Sequence, residues 1–274
     1  MTEFPILVIG STGKTGRRIV RRLRKQGTVV REGTRRAQPA FDWADPATWP
    51  AALDGVKAAY ICYHPDLAVP GAPAAIEELT LRAREAEVER LVLLSGRGER
   101  NAQRCEEIVR TSGVDYTLIR ASWFAQNFSE GMLFDSVNAG MVAMPVGDVR
   151  EPFVDADDIA DVAVAALCDD RHTGELYEVT GPRLMTFAEA VKEIADETGR
   201  EVSYQSITLE QFHTALTHAS GPEMAELLTE LCREVLDGRN ESLGDGVQRA
   251  LGRAPRDFAD FVQYTAATGV WRQQ

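Results

Sequence analysis

Three glycines at intervals of three residues constrain this chain more than any other feature. Gly10, Gly13 and Gly16 follow a short apolar run, residues 4–9, and precede a stretch of helical character. Between a strand and a helix, the first glycine permits a tight turn, the second lets a pyrophosphate approach, and the third lets the helix pack closely on the strand. The helix amino terminus then favours the charge of the pyrophosphate. The pattern predicts a dinucleotide-binding turn.

The whole turn is the predicted cofactor cradle, and it consists of Gly10, Ser11, Thr12, Gly13, Lys14, Thr15 and Gly16. It differs from the phosphate loop of nucleoside triphosphatases, which closes with Gly-Lys followed by Ser or Thr. Here Lys14 and Thr15 lie inside the glycine frame instead. We therefore predict that a dinucleotide binds at this turn.

Apolar runs alternate with helical patterns along the first half of the chain. Strands are predicted over residues 4–9, 28–33, 58–63, 91–95 and 116–119, and helices over 17–25, 76–86 and 104–111. Strands and helices alternating in this way form right-handed βαβ units around a parallel sheet. We predict an α/β fold with a doubly wound parallel sheet of Rossmann type in residues 1–150. Residues 151–274 are predicted to form a smaller, mostly helical region on the substrate side, with some strands returning to the main sheet.

An aspartate cluster opens the second region. A helix is predicted over residues 157–167, with Asp155 as its N-cap and with Asp157 and Asp158 in its first turn, where the helix dipole favours negative charge. Because this spacing suits a helix start without any ligand geometry, we predict no metal site here. Further on, a strand is predicted over residues 176–180.

The last third of the chain is predicted to be mostly helical. Thr186 and Glu189 have the spacing of a capping box that opens a helix through Thr198. The apolar side chains beyond Thr208 suit either a cap over a substrate pocket or a core of their own.

The end of the second strand indicates which dinucleotide binds. An NAD site usually places a carboxylate there to hold the ribose 2′-hydroxyl. This chain instead has Thr34 and Arg35, and a guanidinium suits a 2′-phosphate. Glu32 would favour NAD, but it is expected within the strand rather than at its tip. We predict NADP(H), with Asp42 and Trp43 beside the adenine; a purely structural role for Trp43 stays open.

Composition limits the partners. The net charge of −12 disfavours nucleic acid and anionic membranes, because both would repel an acidic surface. The four cysteines are scattered without a metal-binding or disulfide pattern, so we expect reduced thiols in a cytoplasmic protein. No apolar segment is long enough to span a bilayer. A small-molecule substrate is therefore the expected partner, and a homodimer stays open.

The motifs resemble a known family, the atypical short-chain dehydrogenases called NmrA-like NAD(P)-binding proteins. The resemblance covers nearly the whole chain, through residues 10–16, 34–35, 93–96, 112–120, 123–124, 127–128 and 152–162. Within the family, the chain is most similar to the fungal festuclavine and agroclavine dehydrogenases. That likeness is carried by residues 41–43, 48–49, 91–95, 122–124, 127, 157–160 and 239–240.

The resemblance also exposes an absence. Short-chain dehydrogenases usually use a Tyr-x-x-x-Lys pair to protonate a developing alkoxide, and the helix beginning near Arg100 has none. Ser95 and Tyr63 end two strands, and each hydroxyl is a candidate for orienting a substrate near the nicotinamide. Trp123, Phe124 and Asn127 are the predicted substrate-binding wall.

Three functions stay open. The first is an NADPH-dependent oxidoreductase that reduces an activated acceptor, such as an imine, an iminium ion or a quinone; an iminium carbon accepts hydride without a proton. The second is an NADP-binding regulator that reports redox state to a protein partner, as the resemblance also allows. The third is an isomerase or dehydratase that uses bound NADP transiently, although the sequence shows no paired acid and base for it.

Overall fold

Eight strands form in the part of the chain that the computed structural model describes, residues 4–272. They are β1 (Ile6–Ile9), β2 (Val30–Gly33), β3 (Ala58–Ile61), β4 (Arg90–Gly96), β5 (Asp115–Ala121), β6 (Met141–Met144), β7 (Leu176–Val179) and β8 (Ser203–Ser206). Six pair in parallel in the order β2-β1-β3-β4-β5-β7, and β6 pairs in parallel with β8. β1 and β3 are buried along their whole length, as central parallel strands require.

Helices connect the strands and extend beyond them. They are α1 (Lys14–Lys25), α2 (Trp49–Leu53), α3 (Ala72–Glu85), α4 (Arg100–Thr111), α5 (Asn127–Glu130), α6 (Phe134–Asn138), α7 (Ala156–Cys168), α8 (Phe187–Thr198), α9 (Leu209–Ser220), α10 (Pro222–Val235), α11 (Gly246–Leu251) and α12 (Phe258–Ala267). Within residues 4–272, no helix has both the length and the apolar character needed to cross a bilayer.

The winding of the main sheet reverses at β1, because β2 lies on one side of it and β3 on the other. In parallel sheets of this kind, ligands bind in the crevice at the carboxyl ends of the strands where the winding reverses. Gly10 follows β1 and Cys62 follows β3, and a β-carbon built on Gly10 would lie 3.2 Å from the Cys62 β-carbon. The predicted doubly wound parallel sheet is confirmed, and it places the glycine turn at this crevice.

The chain divides into two compact units that are both discontinuous in sequence. The sheet unit comprises residues 4–121, 156–179 and 245–253, and the helical unit comprises 122–155, 180–244 and 254–272. This division differs from a single boundary at residue 150. α7 and β7 follow that residue but belong to the sheet unit, whereas α5, α6 and β6 precede it and belong to the helical unit. Contacts remote in sequence decide the division, and a change in composition does not reveal them.

Ion pairs join α1 to α7 within the sheet unit. Arg18 donates to Asp157 at 3.1 Å, and Arg22 donates to Asp157 at 2.5 Å and to Asp161 at 2.6 Å. Burial by itself would raise the pKa of the Asp157 carboxyl, but hydrogen bonds from Arg22 and Arg18 lower it overall. α7 begins at Ala156, so the first-turn position predicted for Asp157 is confirmed, and its carboxylate also binds the neighbouring helix.

The helical unit has its own apolar core. Phe128 and Phe153 contact each other, and each contacts both Phe187 and Phe258, with ring centroids 5.0–6.2 Å apart, edge-on or tilted. The indole N–H of Trp271 donates to the carbonyl oxygen of Phe128 at 3.0 Å, which anchors the segment after α12 to this core. Aromatic side chains thus supply much of the packing in this unit.

The capping box predicted before α8 is confirmed. The Thr186 hydroxyl accepts from the Glu189 backbone N–H at 3.0 Å, and the Glu189 carboxylate accepts from the Thr186 N–H at 2.8 Å. A second box, Thr208 with Gln211, opens α9 and was not predicted. The chain beyond Thr208 is mostly helical, as expected.

Candidate functional site

The glycine turn joins β1 to α1. Gly10 has a φ of +76°, a conformation that favours glycine, and its carbonyl accepts from the Gly13 N–H at 2.9 Å. α1 begins at Lys14, with Gly13 extended at the N-cap position and with no side-chain cap from the described residues. Backbone N–H groups at a helix start without such a cap suit an anion such as a pyrophosphate.

The space in front of Gly13 supports the same interpretation. Gly13 is exposed, and a β-carbon built on it would meet only the carbonyl oxygen of Gly10, at 3.2 Å. The protein itself would therefore tolerate a side chain at Gly13 with only a small shift. A bound pyrophosphate would collide with that side chain. The residues of the turn fit a dinucleotide.

The side chains of the turn divide between the core and the open side. Thr15 is buried, and its hydroxyl accepts from the Tyr60 hydroxyl at 2.8 Å, which ties the start of α1 to β3. Lys14 is half-buried, and this burial lowers the pKa of its amine. Thr12 is exposed. The geometry gives Thr15 a structural role and leaves Thr12 and Lys14 as predicted cofactor contacts.

Glu32 lies within β2, as expected, opposite Val8 of β1. Its carboxylate accepts from the Ser11 hydroxyl at 3.1 Å and from the Arg24 guanidinium at 2.6 Å. The carboxylate that could hold the ribose hydroxyl of NAD is therefore already engaged by two donors.

Thr34 and Arg35 follow β2 directly. The Thr34 carbonyl accepts from the backbone N–H groups of Ala37 at 3.2 Å and of Phe41 at 2.9 Å, which closes the loop at the tip of the strand. Arg35 is exposed, and within residues 4–272 no carboxylate pairs with it. Its guanidinium is thus available for a 2′-phosphate, whereas Thr34 shapes the loop that carries it.

Trp43 belongs to an aromatic cluster at the carboxyl edge of the sheet. Its ring lies 5.0 Å from Phe41, 5.5 Å from Trp49 and 4.7 Å from Tyr63, and its indole N–H donates to the Cys62 carbonyl at 3.2 Å. This packing gives Trp43 the structural role left open by the sequence, while the ring stays half-buried beside the crevice.

Asp42 turns the chain before this cluster. Its carboxylate accepts from the Ala44 N–H at 3.0 Å, and its carbonyl accepts from the Trp49 indole at 2.7 Å. One carboxylate oxygen of Asp42 is thereby used within the loop. Contact with an adenine stays a prediction for both Asp42 and Trp43.

Ser95 lies near the end of β4, but its hydroxyl joins a buried ionic network. It donates to the Glu106 carboxylate of α4 at 2.6 Å, and Ser95 itself is buried. Arg120 of β5 pairs with Glu106 and, at 3.0 Å, with Glu178 of β7. The proton of the Ser95 hydroxyl is committed to this network, so the geometry disfavours the substrate-orienting role predicted for it.

Tyr63 differs from Ser95 in this respect. It follows β3, its ring is half-buried against Trp43, and no described residue hydrogen-bonds its hydroxyl. Burial, together with the neighbouring Cys105, raises the pKa of Tyr63, so the phenol stays protonated. Of the two predicted hydroxyls, Tyr63 keeps its donor available.

Two acidic side chains that no sequence pattern predicted, Asp66 and Glu99, lie in the loops after β3 and β4. The Asp66 carboxylate accepts from the Ala68 N–H at 2.8 Å and is hydrogen-bonded to Glu99. Burial raises the pKa of Asp66 despite these bonds. Asn101 donates to the Ala68 carbonyl at 2.7 Å, which ties the first turn of α4 to the loop after β3. The only sequence feature that could have indicated Asp66 and Glu99 is their position shortly after predicted strands.

The predicted substrate wall belongs to the helical unit. Trp123 packs edge-on against Phe187 with ring centroids 5.6 Å apart, and Phe124 forms a parallel backbone bridge to Val154. Asn127 begins α5 and donates its backbone N–H to the Phe124 carbonyl at 3.0 Å. All three predicted residues are half-buried. Substrate contact by them stays a prediction.

Two protein-family profiles match this chain. The profile of the NmrA-like family matches residues 102–261, and a profile described as NAD(P)H-binding matches residues 10–170. Similar proteins include an NAD(P)H azoreductase from Xenophilus azovorans, 31% identical over 96% of this chain and 98% of that protein. Festuclavine synthase II from Penicillium roqueforti is 27% identical over 94% of this chain and 97% of its own length.

Solved structures share the fold. An NADPH-dependent quinone oxidoreductase from Escherichia coli, solved with NADPH, superposes with a TM-score of 0.77. It is 20% identical and covers 94% of this chain and 99% of its own. Identity at this level concerns the architecture of the chain and not its substrate.

Proposed function

This chain belongs to the NmrA-like family of NAD(P)H-binding proteins, and from that membership we propose that it is an NADPH-dependent oxidoreductase of activated acceptors. The acceptor class is a small organic molecule with an imine or iminium group, a quinone, or a similarly electrophilic centre. When bound, the reduced nicotinamide supplies the hydride. The predicted family and the predicted dinucleotide binding are confirmed by the two profiles.

The observation that carries the acceptor class is the arrangement of β4 and α4. A Tyr-x-x-x-Lys pair would protonate an alkoxide, but α4 reads RNAQRCEEIVRT. In its place, Glu106 accepts the Ser95 hydrogen bond and pairs with Arg120. A carboxylate held by an arginine accepts hydrogen bonds and does not donate a proton. The Tyr63 hydroxyl can still donate a hydrogen bond, but its raised pKa makes it a weak acid. Acceptors that need no strong acid therefore suit this site better than simple ketones.

The chain's own task is to bind and orient. The turn around Gly13 provides backbone donors for the pyrophosphate, and the exposed Arg35 provides a cation for the 2′-phosphate. Orientation alone supplies much of the acceleration when the acceptor is already electrophilic. The name of the azoreductase relative supports an acceptor other than a ketone.

NADPH oxidation against a panel of acceptors tests this proposal. We expect the purified protein to consume NADPH with cyclic iminium ions or quinones, and at least about 100-fold more slowly with unactivated ketones, since general acid help is worth roughly 10²–10⁴-fold. Efficient ketone reduction would contradict the acceptor class. Tight NADPH binding without turnover of any acceptor would favour the NADP-binding regulator instead.

A further inference from the structure

A cavity of about 580 Å³ opens beside the glycine turn, on the side of α1. It is lined by Ser11, Thr12, Arg17, Val20, Arg21, Arg24 and Glu32. The three arginines are spaced four and three residues apart, so they share one face of α1. The lining thus holds three guanidinium groups and one carboxylate, on a chain whose net charge is −12. Arg24 pairs with Glu32, and Arg21 pairs with Asp157 at 3.6 Å. The cavity suits an anion.

The arginines of this cavity lie close to further positive charge. Burial lowers the pKa of the Arg17 guanidinium, and the nearby Arg18 and Arg21 lower it further, against the opposing effect of Asp157. Crowded cations of this kind gain from a negatively charged ligand.

Glu32 is the one group of the lining that would repel such a ligand. By itself, its carboxylate would accept from a ribose hydroxyl and disfavour a phosphate. Arg24 and Ser11 occupy its two oxygens, at 2.6 Å and 3.1 Å. The Arg24–Glu32 pair is partly exposed, with side chains 57% and 36% accessible, so a ligand can reach it.

We propose that this cavity receives the 2′-phosphate of the adenosine ribose and that Arg24 determines cofactor specificity through Glu32. When Glu32 is paired with Arg24, its charge no longer repels the phosphate, and its oxygens no longer accept from a ribose hydroxyl. Arg35 lies outside the lining and acts on the phosphate from the tip of β2, whereas Arg24 is a positioning residue that acts through another side chain. The inference rests on the proposed function, because it names the residues that select the cofactor.

Equilibrium binding to four proteins tests the proposal: wild type, Arg24→Gln, Glu32→Gln and the double variant. Isothermal titration with NADP⁺ and NAD⁺ gives the ratio of their affinities without any turnover. We expect Arg24→Gln to lower the preference for NADP⁺ by about tenfold or more, partly through tighter NAD⁺ binding to the released carboxylate. Glu32→Gln should raise the preference, and adding Arg24→Gln to it should change the ratio by less than about threefold. The ratio of the affinities for 2′-AMP and 5′-AMP should change in the same order across the four proteins.

Lys25→Gln is the matched control, since it removes a positive charge from the same helix outside the cavity lining. A loss of preference equal to that of Arg24→Gln would mean that only the general field matters, and the proposal would be overturned. It would also be overturned by an unchanged ratio in Arg24→Gln, or by an effect of Arg24→Gln that is equally large in the wild-type protein and in the Glu32→Gln variant. Wild-type protein that binds neither dinucleotide would instead overturn the proposed function.

Discussion

Helix α1 passes so close to the glycine turn that a β-carbon on Gly16 would overlap the carbonyl oxygen of Gly10 and lie 2.7 Å from its carbonyl carbon. A β-carbon on Gly13 would make a single contact, at 3.2 Å. The φ of Gly13 is −73°, which any residue can adopt. Two glycines of one motif therefore have different purposes. Gly16 permits the packing of the helix, and Gly13 keeps the ligand's approach open.

This difference predicts separate outcomes for two substitutions. Gly13→Val should leave a folded protein that no longer binds NADPH, because the side chain occupies the place of the pyrophosphate. Gly16→Ala should lower the free energy of unfolding by about 1–3 kcal/mol, because the added methyl group overpacks the contact between α1 and the turn. Urea denaturation and NADPH fluorescence titration measure the two effects, and normal NADPH binding by Gly13→Val would show that the turn is not the phosphate cradle.

Arg35→Glu should weaken NADPH binding at least about tenfold, because a charge-assisted contact to a phosphate is worth roughly 1.5–3 kcal/mol. The neighbouring Arg36 is also exposed, and Arg36→Glu makes the same change in net charge one residue away. Fluorescence titration of both variants separates a contact from a general field. An unchanged affinity in Arg35→Glu would remove this residue from the site.

The turn, the sheet and the capping box were predictable because each depends on residues close together in the sequence. Gly10, Gly13 and Gly16 fix the turn within seven residues, and Thr186 with Glu189 fixes a helix start within four. The tip of β2 could also be placed, since a strand and its last residue form one local pattern.

The surroundings of Ser95 could not be predicted in this way. Its hydroxyl meets Glu106 only because α4 packs on the sheet in one register, and Arg120 and Glu178 come from strands that pair far apart in sequence. The bond between Asp66 and Glu99 depends likewise on which strands are neighbours. Such contacts are set by topology, which local patterns do not contain.

The stability of the α1–α7 contact should depend on pH through Asp157. Its pKa is lowered below the ordinary 3.8, so its ion pairs stabilise the fold above about that pH and are lost as the pH falls through the folded-state value. Asp157→Asn should cost about 1–3 kcal/mol near neutral pH, since the side chain is partly buried with Arg18 and Arg22. The free energies of unfolding of the wild type and of Asp157→Asn should converge as the pH falls below about 4. A difference that stays constant down to a pH of about 2 would contradict the stabilising role of Asp157.

Ser95→Ala and Tyr63→Phe should separate structure from chemistry. Ser95→Ala removes a bond to the buried Glu106, and we expect it to cost about 1–2 kcal/mol of stability while iminium reduction continues. Tyr63→Phe removes a hydroxyl for which the described residues provide no hydrogen-bond partner, and it should change stability by less than about 0.5 kcal/mol. Thermal unfolding and NADPH oxidation measure both variants. Efficient ketone turnover that collapses in either one would identify a proton donor and contradict the acceptor class.

Deuterium labelling follows the hydride from NADPH to the acceptor. NADPH carrying deuterium at C4 of the nicotinamide, on each face in turn, is incubated with the protein and a cyclic iminium acceptor, and the product is analysed by mass spectrometry. We predict that the amine product gains one deuterium from one of the two labelled cofactors and none from the other, because a protein that orients both partners transfers hydride from a single face. An amine product that contains no deuterium with either cofactor, or no product despite tight NADPH binding, would contradict the account.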